Sequence, residues 1–202
     1  MLISSMLLTA CDSQTTNGSQ QEIVSSESKN TDTLAVETEN SPTSLDNLFT
    51  YHKQFKVNDT LTFDVLSWGS ESKGNYLILK SDKLSNEYFS ISGQREGRII
   101  NAFITDMDAD MQAEVIVVTQ SRTDNKGSLY AHEIDGQNKQ ADIVLPDLSP
   151  ELQKGYIGQD TFYVTKDRLI REFTLQNESS LKRKIEYTFG NNTFILSGNT
   201  DK

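Results

Sequence analysis

The sequence predicts an all-β fold: an antiparallel β-sandwich or partly closed barrel of about ten short strands, preceded by a disordered tether. Three observations carry this. From Leu48 onward, short segments of period two recur between turn signals. Helix signals are almost absent, the exception being Ser149-Pro150-Glu151-Leu152-Gln153-Lys154, where Ser149 as N-cap and Pro150 at N1 suit a single turn. Residues 12–47 are rich in Ser, Thr, Gln, Asn and Glu and hold no aromatic side chain, so they cannot bury enough apolar surface to offset the entropy of ordering.

The elements follow in order. Leu61, Phe63 and Val65 alternate with Thr62 and Asp64. Further strands are expected at 74–80, 86–92, 98–105 and 114–120, then at 128–134, 141–145, 161–165, 168–175, 184–189 and 193–197. The last two flank Gly190-Asn191-Asn192, residues that tolerate positive φ, which predicts a terminal hairpin. Glu114 to Thr119 is the most apolar run and is expected at the centre of a sheet. Trp68, Tyr76 and Tyr88 are expected to pack in the core, and His132 to lie on a strand surface. One domain, 48–200, results.

The chain has 202 residues, with 19 Lys+Arg against 29 Asp+Glu, a net charge of -10. That balance argues against nucleic acid, whose phosphates are gripped by clustered cations, and against docking on anionic lipid through a basic patch. The charge is unevenly shared. Seven acids (Asp12, Glu22, Glu27, Asp32, Glu37, Glu39, Asp46) face Lys29 alone in residues 12–47, which thus carry -6 of the -10. A polar, charged linker of this kind holds a domain away from its anchor.

A single cysteine, Cys11, excludes an internal disulfide and a zinc site built of cysteines. Residues 1–10 are apolar and too short to span a bilayer. They end in Leu8-Thr9-Ala10-Cys11, which resembles the lipobox of bacterial lipoproteins. The resemblance implies a signal peptide over 1–10, acylation of Cys11 by palmitate-type chains, and an acidic linker over 11–47. It also implies an envelope location facing the periplasm, with Asp12 favouring the inner membrane. The chain departs from the pattern in having no Lys or Arg before the apolar stretch.

Chemistry-bearing motifs are sparse. Asp106-Met107-Asp108-Ala109-Asp110-Met111-Gln112-Ala113-Glu114 places carboxylates at positions 1, 3, 5 and 9, where they can converge on a hard cation such as calcium. The spacing lacks the glycine and the late glutamate of an EF-hand, and a polar turn capping its own amides accounts for it better; calcium is not the favoured reading at this level. No Gly-x-Ser-x-Gly elbow, phosphate-cradling glycine loop or His-Glu-x-x-His helix is present, and His52 and His132 lie on unrelated segments. The expectation is a protein that is not an enzyme and carries no cofactor.

Several segments occur in a recognisable order: Gly97 to Phe103, the Asp106–Glu114 loop, Thr119-Gln120-Ser121, Gly127 to Ala131, Leu145-Pro146-Asp147-Leu148, Lys154 to Asp160, and Leu169 to Phe173. Together they resemble bacterial periplasmic lysozyme inhibitors of the PliI type, over roughly residues 55–175. The resemblance implies an all-β fold, invertebrate-type lysozyme as partner, and inhibition by a loop inserted into the lysozyme cleft. That loop maps after Ser121, so Ser121, Arg122, Asp124 and Lys126, with Tyr156, are the candidate partner-binding residues. The family's central glycines and tyrosine are absent from 122–126, Gln159 stands where a histidine is usual, and the Pro and Tyr expected after Phe173 are missing. The alternative is a non-enzymatic binding or structural module of the envelope, ordered by calcium through Asp106, Asp108, Asp110 and Glu114.

Overall fold

The computed structural model describes residues 48–176 and 178–201. The expected signal peptide, the expected lipid attachment at Cys11, the acidic segment and the expected Asp12 sorting cue therefore lie outside the described residues. The described strands all fall within one unit, Pro42–Lys202.

The described chain is all-β and antiparallel. Four strands, β1 (Tyr51–Lys56), β2 (Leu61–Gly69), β3 (Lys73–Asp82) and β4 (Glu87–Glu96), form a first sheet in sequence order. A second sheet holds β5 (Arg98–Thr105), β6 (Ala113–Gln120), β7 (Gly127–Ile134) and β8 (Gln140–Ile143). After the single turn of helix α1 (Pro150–Gln153), a third comprises β9 (Thr161–Thr165), β10 (Arg168–Leu175), β11 (Glu178–Gly190) and β12 (Thr193–Asp201). Each sheet is a meander, because each connection is too short for a strand to cross its neighbour. Ser149 caps α1 by accepting from the Leu152 amide, and Pro150 sits in its first turn.

The alternation in β6 explains how three sheets share a core. Val115, Val117, Ile116 and Val118 are all at most 1% exposed. Val115 and Val117 pack with Phe63, Val65, Tyr76, Ile78 and Ile91 of the first sheet. Ile116 and Val118 face the other way, towards Phe162, Leu169, Phe173, Ile185 and Phe194 of the third. The middle sheet is thus covered on both faces, and β6 reads as a continuous apolar run for that reason. Each such side chain contributes about 1.5–3 kcal/mol relative to exposure.

Close approach requires glycine at Gly74 and Gly158, among other positions. A Cβ at Gly74 would lie 2.2 Å from the Trp68 carbonyl oxygen and 2.7 Å from an Arg95 Nη2 atom. A Cβ at Gly158 would lie 2.5 Å from the Asp124 carbonyl oxygen, at a backbone φ of +85°.

Some expectations are corrected. Strand β1 has no counterpart in the sequence reading, because Tyr-His-Lys-Gln-Phe-Lys shows no clear alternation and all but Tyr51 and Phe55 are exposed; pairing with β2 makes it a strand. Tyr76 is buried as expected, whereas Tyr88, at 70% exposure, and Trp68, at 37%, are exposed. His132 is not a surface residue: it is buried at 6% exposure, for a reason given below.

Candidate functional site

Two constellations occupy opposite ends of β6, separated by its eight residues, or roughly 25 Å at 3.3 Å per residue.

At the N-terminal end, the β5–β6 connection brings Asp106, Asp108, Asp110 and Glu114 together. One oxygen from each lies within 4.8 Å of the others. The three aspartates are exposed and Glu114 is fully buried. The turn is tight, with positive φ at Ala109 (61°) and Met111 (68°). Asp110 accepts from the Gln112 amide at 2.8 Å. The Met107 amide donates to Oε2 of Glu114 at 2.9 Å, while its Oε1 is buried without a hydrogen-bond partner. Burial, reinforced by Asp108 and Asp106, pushes the Glu114 carboxyl up to about 7. A fifth acid, Glu133, lies directly across from Glu114 in the β6–β7 register. Burial raises its pKa, and Asp110 and Asp108 add to the shift. None of these five forms an ion pair among the described residues. Sequence spacing identified four of them. Glu133 was not legible, because only strand register brings it to the loop.

At the C-terminal end of β6, residues 121–126 form the β6–β7 hairpin loop. The Ser121 amide donates to the Lys126 carbonyl at 2.8 Å and closes it. The Ser121 hydroxyl accepts from the Thr123 amide at 3.3 Å, and Asp124 accepts from the Lys126 amide at 3.2 Å. Lys126 also pairs with Asp124 at 3.0 Å. Hydrogen bonds from Ser121 and then Lys126 hold the Asp124 carboxyl down at about 2. Arg122 to Lys126 are exposed.

The loop is fastened from below by residues distant in sequence. The Gln159 amide donates to the Asn125 carbonyl at 2.8 Å. Asp160 is the hub: one oxygen accepts from the Gly127 amide at 2.7 Å and the Tyr156 hydroxyl at 2.5 Å, and the other from Nε of Arg171 at 2.6 Å. Arg171 also donates through Nη2 to the Tyr156 hydroxyl at 2.9 Å. The Asp160 side chain is 0% exposed and that of Arg171 only 8%. Tyr156, expected among the partner contacts, lies half-buried beneath the loop and stacks edge-on against Phe173. It supports the loop, whereas Arg122, Asp124 and Lys126 are displayed by it.

Residues of the loop border two depressions. One, of about 510 Å³, is lined by Lys126, Leu145, Asp147, Tyr156 and Arg171. The other, of about 420 Å³, is lined by Lys73, Glu96, Ser121, Arg122, Asp124 and Tyr130.

A third polar cluster joins the first two sheets. The Tyr76 hydroxyl lies 2.7 Å from Nε2 of His132, whose Nδ1 lies 2.8 Å from Asp142. The order Asp-His-hydroxyl has the form of a nucleophilic triad, but Tyr76 is 3% exposed and burial pushes its hydroxyl up to about 12. The arrangement serves to satisfy polar groups between packed sheets. Burial lowers the His132 pKa against the opposing pull of Asp142. Below the unfolded value of about 6.5, the unfolded chain therefore takes up a proton that the folded chain resists, and this part of the stability is lost as pH falls. Glu114 acts with the opposite sign, since its raised pKa means that acidification relieves a buried charge. The urea midpoint of His132→Gln should therefore fall less between pH 7.5 and 5.5 than that of the wild type. Parallel curves would show that His132 does not titrate differently on folding.

Compared with known proteins, the chain matches no family model and no curated sequence.

Proposed function

We propose that this chain is an envelope-tethered, non-catalytic binding protein whose 121–127 loop enters the cleft of a lysozyme-type hydrolase. The observation that supports this reading best is the combination of exposure and constraint in the loop. Arg122 to Lys126 are exposed, yet the backbone beneath them is held by Gln159, Asp160 and the closing Ser121–Lys126 bond. A segment ordered before binding loses less entropy on association. Blocking a cleft needs shape and satisfied polar contacts and no reacting group. The resemblance to PliI-type inhibitors supplies the partner class, and a lipid on Cys11 with the acidic linker behind it supplies the tether.

Without the family's tyrosine, the loop's contacts would be polar: Arg122 and Lys126 suit the catalytic carboxylates of a glycosidase cleft, and Asp124, ionised at any working pH, suits a flanking cation. The full chain should lower muramidase activity of an invertebrate-type lysozyme, and Arg122→Ala with Lys126→Ala should weaken inhibition at least 10-fold. Unchanged activity of invertebrate-, chicken- and goose-type lysozymes at micromolar chain would remove this reading.

A further inference from the structure

The acidic cluster at the other end of β6 has no part in that reading. Four carboxylates, with a fifth beside them, crowd one turn without a single Lys or Arg partner among the described residues. Surface acids alone would carry little meaning, since repulsion between exposed carboxylates is screened by water and salt. Glu114 differs. Its side chain is fully buried, one oxygen is taken by the Met107 amide, and the other is buried with no hydrogen bond among the described residues. The carboxylate brings an oxygen within 4.8 Å of an oxygen of each aspartate. A buried, unpartnered carboxylate oxygen is costly and is retained where something compensates it.

We propose that Asp106, Asp108, Asp110 and Glu114 form a binding site for one calcium ion, with Glu133 as a neighbouring acid that adds negative charge. Several features fit that ion. All the donors are hard oxygens, and no histidine or thiol lies among them. Calcium accepts six to eight oxygens in flexible geometry, so water completes a shell begun by four carboxylates. Magnesium dehydrates reluctantly and demands a near-ideal octahedron, which suits a four-carboxylate turn less well. The ion would supply the partner that Oε1 of Glu114 lacks and join the exposed β5–β6 turn to the buried start of β6. The site is distinct from the 121–127 loop, so it stands whether or not the chain inhibits a lysozyme.

The test uses the full chain stripped of metal. Calorimetric titration with calcium chloride should show one ion bound per chain. Calcium at about a hundred times its dissociation constant should raise the melting temperature by about 5–10 °C. Glu114→Gln should lose that rise, while its metal-free form melts no lower than the metal-free wild type, because a buried charge has been removed. Asp108→Asn, a change at an exposed position, should weaken calcium binding at least 10-fold without disturbing the core. No heat and no melting shift with calcium, a shift produced by magnesium alone, or a full calcium response in both variants would each overturn the proposal.

Discussion

Replacing Arg171 with Met should lower the unfolding free energy by about 3–5 kcal/mol, because it strands the Asp160 carboxylate in the interior. Asp160 has no exposed side-chain surface, and the charge-assisted bond from Nε of Arg171 at 2.6 Å is its only one from a cation among the described residues. Methionine fills much of the same space beside Tyr156, Phe162 and Phe173, whose rings surround the guanidinium, so the loss reports charge and not a cavity. Set against a typical total of about 5–15 kcal/mol, this is a large fraction. The double variant Arg171→Met with Asp160→Asn should be less destabilised than the sum of the two single changes, since no buried charge remains. Urea unfolding of the four proteins measures the coupling, and strict additivity would show that the pair does not act as a unit. The same variants link stability to the order of the 122–126 loop. Asp160 also holds the Gly127 amide, so amides of 122–126 should exchange faster in Arg171→Met even under conditions where the core stays folded.

The second large effect is expected at Arg95, on β4 at one edge of the first sheet. Arg95 is 2% exposed and donates to the Ser67 hydroxyl, to the carbonyls of Ser70 and Trp68, to Thr50, and through Nη1 to the carbonyl of Gly97. Its hydrogen bonds go to neutral oxygens, and burial lowers its pKa. Arg95→Met should cost about 2–4 kcal/mol, the sum of several carbonyls left without donors rather than of one lost ion pair. Arg95→Lys should cost nearly as much, about 2 kcal/mol, because a single ammonium cannot span acceptors set out for a planar fork. A lysine variant as stable as the wild type would show that charge alone, and not the fork, is what the site requires. The absence of a Cβ at Gly74 is part of the same arrangement, since Nη2 lies only 2.7 Å from where that atom would be.

Local patterns made much of this molecule legible. Strict alternation placed β2, and the apolar run at Glu114–Thr119 placed a central strand, because a strand covered on both faces has no polar face to keep. Asn191 and Asn192 marked the last hairpin, and both adopt positive φ there. Ser149 and Pro150 marked the one helical turn. The acidic turn was also visible, since its four carboxylates lie within nine consecutive residues. What it would do was not, because the spacing cannot tell whether Glu114 faces water or the core.

Long-range partnerships were hidden. Asp160 and Arg171 are eleven residues apart, Tyr76 and His132 are 56 apart, and Gly127 and Asp160 are 33 apart. No periodicity relates such residues; only the stacking of sheets brings them together. His132 shows the consequence: alternation along its strand assigned it a face, but that face is covered by the first sheet.

The sequence by itself determined the class of the fold, the turns, and the types of residue present at each end of β6. Those are decided by short-range preferences: side-chain alternation, φ tolerance and charge. Only the tertiary structure decided that β6 lies between two sheets, that Tyr156 supports the 121–127 loop and does not display itself on it, and that Glu114 is a buried carboxylate with a free oxygen. The physical reason is the same in each case. Burial and hydrogen-bond satisfaction belong to the assembled core, where strands far apart in the chain must share one interior.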